Sequence, residues 1–136
     1  MSLDPATAQR VRQFLLQAQP DALALWAFGS RVGSQARADS DLDLALLLPG
    51  RGDAKALWAL GSALAQELGV DVDLLDLRAA STVMVHQVLS SGECLYAVQP
   101  EADSWAAFAL NEKLRLDEAR APLIEQIERE GTVHGR

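Results

Sequence analysis

The chain has 136 residues, 49% of them hydrophobic and 23% charged, a size and balance that fit one domain with a single substantial core and exclude a disordered chain. Its formal charge of −7 excludes a stand-alone nucleic-acid binder, because a phosphate backbone demands a basic footprint; any nucleotide contact has to be local and assisted by metal.

Met1 to Pro5 carry neither the basic nor the apolar stretch of a secretory leader, and no apolar run approaches the length of a membrane span, so a cytoplasmic protein without membrane association is expected. Asp4 followed by Pro5 is a helix start, and Val11, Phe14, Leu15 and Ala18 then recur at helical spacing, which predicts a helix over Pro5 to Gln19. Apolar residues from Ala22 to Phe28 suit a buried strand, and a second strand is expected from Asp41 to Leu48, ended by Pro49 and Gly50. Asp53 caps a predicted second helix carrying Leu57, Leu60, Leu64 and Leu68 on one face, with Gly69 in the position that favours a left-handed stop. A strand at Val70 to Leu75 completes a right-handed unit with parallel strands. Ser81 heads a short helix to about Leu89, and Cys94 to Val98 forms a further strand in which Cys94, the single cysteine, reads as a buried thiol without chemistry. His86 reads as a helix-surface or packing residue rather than a ligand. A C-terminal helical segment, about 104–130, carries Trp105, Phe108, Leu116, Ala119, Leu123 and Ile127 near one stripe, and Pro122 is expected to break or kink it. That stripe suits either packing on the chain's own sheet or a partner. Together these elements predict a small α+β domain, residues 1–136, with a mixed β-sheet flanked by helices.

The chemistry concentrates between Phe28 and Leu48. Gly29 and Ser30 fall where the first strand hands over to a turn; without a Cβ, Gly29 lets a phosphate approach the backbone, and the Ser30 hydroxyl can donate to a phosphate oxygen. Asp41 and Asp43, two apart on a strand, point to one face ~7 Å apart, where they can bracket a hard cation such as Mg²⁺. An EF-hand read from Asp39 fails, because its sixth and twelfth places hold Leu44 and Gly50 instead of Gly and Glu, and a P-loop fails for want of a lysine. On the third strand Asp73 sits within Val70, Val72, Leu74 and Leu75, where an unpaired charge is costly unless it binds something. It is therefore the candidate third carboxylate, with Asp71 in reserve; Asp71 and Asp76 otherwise read as solvated acids at a strand end.

The pattern Gly-Ser, ten residues, Asp-x-Asp resembles the signature of the nucleotidyltransferase superfamily with a polymerase-β-like palm, and Arg31, Ala36, Arg37, Asp39 and Ser40 are similar to its minimal (MNT) branch. Asp73, preceded by one hydrophobic residue and followed by two, matches the place of that family's third carboxylate. The resemblance implies a nucleotidyltransferase fold, with Asp41, Asp43 and Asp73 as catalytic residues holding two Mg²⁺ ions and Gly29, Ser30, Arg31 and Ser40 binding the nucleotide, ATP. The family often has Gly after an Arg-Ala-Arg run; here Ser34 follows Arg31, Val32 and Gly33, a departure that bears on the turn and not on the metal site.

Related aminoglycoside nucleotidyltransferases and template polymerases add domains for the acceptor, which this chain is expected to lack. The whole chain, including Leu116 to Arg120 and the run from Glu125 to Gly135, resembles the MntA-type antitoxins of HEPN/MNT toxin–antitoxin pairs. That implies transfer of AMP from ATP to a hydroxyl of a HEPN ribonuclease toxin, a tyrosine, which silences the toxin. Two other functions stay open: an antitoxin that only masks its partner, for which the aspartates are dispensable, and a transferase acting on a small molecule. Assembly as a homo- or hetero-oligomer is also left open.

Overall fold

The structure is a computed structural model that describes residues 3–29 and 41–130, those from 120 onward as backbone alone. Helix α1 (Pro5–Ala18) begins where expected, with the Asp4 carboxylate accepting from the Thr7 N–H at 3.1 Å and Pro5 in the first turn. Strands β1 (Ala24–Phe28) and β2 (Leu42–Leu47) are antiparallel neighbours with Phe28 opposite Asp43. Helix α2 (Ala54–Leu68) is capped by Asp53 and stopped by Gly69 at φ 73°, and it leads into β3 (Val72–Asp76), which runs parallel to β2. Helix α3 (Thr82–Ser91), capped by the Ser81 hydroxyl, returns the chain to β4 (Glu93–Ala97), antiparallel to β1. The resulting mixed sheet has the order β3-β2-β1-β4.

Side-chain alternation divides this sheet between two cores. Leu25, Ala27, Leu42, Leu44 and Leu46 face α1 and α2, meeting Val11, Leu15, Leu57 and Leu64. Trp26, Phe28, Ala45 and Leu47 face the other way, toward Val85 and Val88 of α3 and Ala102 and Trp105 of the last helix. The central strands β1 and β2 are buried from both sides and accordingly read as apolar runs, broken in β2 by Asp43 alone, whereas β3 and β4 form the edges and are partly exposed.

Two expectations are corrected here. The last helix, α4 (Glu101–Glu130), starts three residues before Ser104, because Glu101 and Asp103 suit the positive end of a helix dipole and the Ser104 N–H donates to Pro100 O at 2.9 Å. It also runs through Pro122 without ending. Proline removes one backbone donor from such a helix, and the bonds on either side carry it onward. Asp76, read as a solvated strand end, instead closes a clamp: its carboxylate accepts from Gly52 N at 2.8 Å and Arg78 N at 3.0 Å, while Arg78 Nε donates to Leu48 O at 2.5 Å. These bonds tie the loop after β2 to the turn after β3. Among the described residues, no helix is long and apolar enough to cross a membrane.

Candidate active site

At the end of β1 the chain enters a left-handed turn, Gly29 at φ 80°, and a Cβ placed there would overlap the Asp43 carboxylate. Gly29 is thus required twice, once by its backbone angle and once by the acid lying against it. The antiparallel register that sets Phe28 opposite Asp43 makes the following residue, Gly29, cross over that side chain.

On its other flank Asp43 is paired with Asp73 in the parallel register of β2 and β3. Backbones of adjacent strands lie ~4.8 Å apart, so carboxylates at paired positions on one face repel each other. Both acids lie on the face that carries α3 and α4, in line with Phe28, Ala45 and Leu75. Burial, first, and the charges of Asp73 and then Asp41 push the Asp43 carboxyl above its usual range. Asp41 is exposed one residue before β2 and, with Asp71 and Gly69, lines an open depression of about 450 Å³ beside the end of α2. Asp71 itself contributes a backbone bond, Leu42 N donating to its carbonyl at 2.9 Å, which helps to set the register of the two strands.

The placement of Asp73 differs from the sequence-based expectation in its reason. It is exposed on an edge strand, not enclosed by its apolar neighbours, so the cost of a buried charge does not single it out. Pairing with Asp43 does. Ser30, Arg31, Ser34, Ala36, Arg37, Asp39 and Ser40 lie outside the described residues. Cys94 is exposed rather than buried, since β4 is an edge; its sulfur is nonetheless sheltered enough for burial to push the thiol pKa up, and it donates weakly to Tyr96 O at 3.5 Å. A thiol so shifted is a poor nucleophile. His86 is exposed on α3.

Among the described residues, no three acidic side chains are gathered closely enough to hold an ion jointly. The donor chemistry still fits a hard cation: oxygen ligands, and one partly buried carboxylate whose ionised form has two negative neighbours and no positive one among the causes of its shift. Asp43 and Asp73 would be the inner pair, with Asp41 at the margin. The close approach of Gly29 to Asp43 was not foreseen from sequence, because it depends on strand register.

An acidic pair on a sheet, crossed by a glycine backbone, presents the oxygen donors that metal-assisted phosphoryl chemistry uses. The family model described as polymerase beta nucleotidyltransferase matches residues 12–101, and the chain belongs to that family. Within it, the chain is 33% identical over 108 residues to the protein adenylyltransferase MntA of Shewanella oneidensis, a match spanning 79% of this chain and 78% of that protein. Among solved structures it is similar to a toxin–antitoxin with AMP-PNP, at 30% identity and a TM-score of 0.79, covering 89% of this chain and 98% of that one. It is also similar to the antitoxin fold in a tri-AMPylated Shewanella oneidensis HEPN toxin in complex with MNT antitoxin, at 29% identity and a TM-score of 0.75, covering 90% and 97% of the two chains.

Proposed function

We propose that this chain transfers AMP from ATP to a hydroxyl of a HEPN-type toxin, a tyrosine, and thereby acts as its antitoxin. The observation that carries the reading is the pairing of Asp43 with Asp73 beneath the Gly29 turn. Its likeness to an adenylyltransferase, and to an antitoxin whose toxin partner is AMPylated, supports the nucleotide and the acceptor class.

In this reaction the acceptor oxygen attacks the α-phosphorus, the bond from that phosphorus to the bridging oxygen breaks, and pyrophosphate leaves. Mg²⁺, once bound at these carboxylates, would supply neutralisation of the triphosphate and a lower pKa for the incoming hydroxyl. Asp43 and Asp73 would hold the metal, with Asp41 at the margin. Asp73, exposed at the edge of the pair, orients the acceptor and takes its proton. A tyrosine, with a pKa near 10, benefits from both aids. Gly29 keeps the backbone open beside the triphosphate, and Ser30, Arg31 and Ser40 bind its phosphates. The 1–136 chain works as one catalytic domain, in the cytoplasm where ATP and the toxin are found.

Incubation with ATP, Mg²⁺ and a HEPN-type toxin, the product of the neighbouring reading frame being the first to try, followed by intact-mass spectrometry, tests this. The expected result is a gain of one or more adenylyl groups on the partner. A partner that stays unmodified yet is neutralised equally well by an Asp41→Ala/Asp43→Ala double variant would establish masking instead.

A further inference from the structure

The face that carries Asp43 and Asp73 continues, at the opposite end of the sheet, into a groove between α3 and α4. Its floor and walls are Leu77, Val85, Trp105 and Phe108, its rim holds Arg78 and Glu112, and its volume is about 270 Å³. Arg78 is held in place by its bond to Leu48 O, so the rim is preorganised. Phe108 is 60% exposed and Leu114, further along α4, 58%. Such side chains are costly to leave in water, at about 25 cal/mol per Å² of apolar surface. Among the described side chains, helix α4 packs on α3 and the sheet around Ala102, Trp105 and Ala109, and residues 114–119 are all exposed. With 30 residues it is ~45 Å long, and an unsupported helix in water is marginal.

We infer that the α3–α4 groove and the exposed apolar residues of α4 form the docking surface for the protein acceptor, receiving one amphipathic helix of that partner with basic residues beside its apolar stripe. The inference rests on the function proposed above and adds the surface that delivers the acceptor. Two observations select this occupant. Charge is the first: residues 101–119 carry five acidic side chains and two basic ones, and Lys113 and Arg115 are already paired within the helix to Asp117 and Glu112. Glu101, Asp103 and Glu118 stand outside these ion pairs, and a helix with basic residues beside its apolar stripe complements them. Position is the second. From Asp73 to Leu77 is four residues along the edge of one face, ~13 Å, so a helix seated in the groove needs only a short extended segment to bring its hydroxyl to the carboxylates.

The test compares the wild type with Phe108→Glu/Leu114→Glu and, as a control on the opposite side of the sheet, Trp58→Glu, whose indole is 76% exposed on α2. Circular dichroism and ATP binding in Mg²⁺ are expected to be unchanged in all three. With the HEPN-type toxin of the preceding test as acceptor, the double variant is expected to raise KM for the protein at least ~10-fold, with kcat at saturation within about twofold, while Trp58→Glu behaves as wild type. An unchanged kcat/KM for the double variant, or the same loss from Trp58→Glu alone, overturns the assignment. So does a wild-type dimer in solution that the double variant converts to monomer, which would give the groove to a second copy. If the double variant loses helix, Phe108→Ala is read by the same criteria. Should the wild type transfer no AMP, direct titration calorimetry of the same variants against the partner still decides the docking surface, while the proposed function alone fails.

Discussion

Asp43 and Asp73 occupy paired positions on adjacent parallel strands, and Gly29 crosses so closely over Asp43 that no side chain fits between them. One carboxylate therefore meets a like charge on one side and backbone on the other. Removal from water, first, and charge repulsion from Asp73 and Asp41 both raise its pKa.

Asp43→Asn should trade activity for stability. The raised pKa means that the folded state prefers the protonated acid; this contribution is fully present below the ordinary value of 3.8 and lost as pH rises through the folded value. At neutral pH without Mg²⁺ the variant should therefore melt ~1–3 °C higher than wild type, the gap closing as the pH falls toward 4. Transfer should drop about a thousandfold, equivalent to ~4 kcal/mol. Scanning calorimetry across pH measures the first effect, and a variant less stable than wild type at pH 7 would contradict it.

Asp73→Asn is expected to lower kcat by ~100-fold or more, whereas Asp71→Asn should remain within about threefold, because Asp71 contributes its backbone carbonyl and not its carboxylate to the strand pairing. Steady-state rates of AMP transfer distinguish them. The reverse order would move the third carboxylate to Asp71.

Gly29→Ala should both unfold more readily and react more slowly. A left-handed φ of 80° costs an alanine ~1–2 kcal/mol, and the new Cβ displaces the Asp43 carboxylate from its seat. Urea denaturation and turnover, measured on the same sample, should fall together; native-like values of both would show that the turn relaxes freely.

Asp76→Ala should separate stability from chemistry. It removes the acceptors for Gly52 N and Arg78 N, a loss of ~1–3 kcal/mol, far along the sheet from the acidic pair. Urea unfolding should shift by that amount while ATP affinity at 25 °C stays unchanged. A large loss of ATP affinity would tie the clamp to the site.

Local signals in the sequence determined most of the elements. Asp4-Pro5, Asp53 with Gly69, and Ser81 marked helix ends through caps whose chemistry acts within a few residues, and the apolar runs of β1 and β2 announced strands buried on both faces. The spacing of Gly29, Asp41 and Asp43 was legible for the same reason, since a turn and a two-residue alternation are local geometry. Tertiary structure decided what depends on neighbours distant in the chain. Asp73 is expected from its apolar flanks and from its place in the family pattern, yet it lies exposed on an edge; strand register, which is set by hydrogen bonding between segments thirty residues apart, is what sets it beside Asp43. Edge position likewise left Cys94 exposed, and a loop folded back onto β3 turned Asp76 from a solvated acid into a clamp. Pro122 is expected on propensity alone to break or kink the last helix; it does not break it, because losing one hydrogen bond is a smaller penalty than ending a helix already committed on both sides.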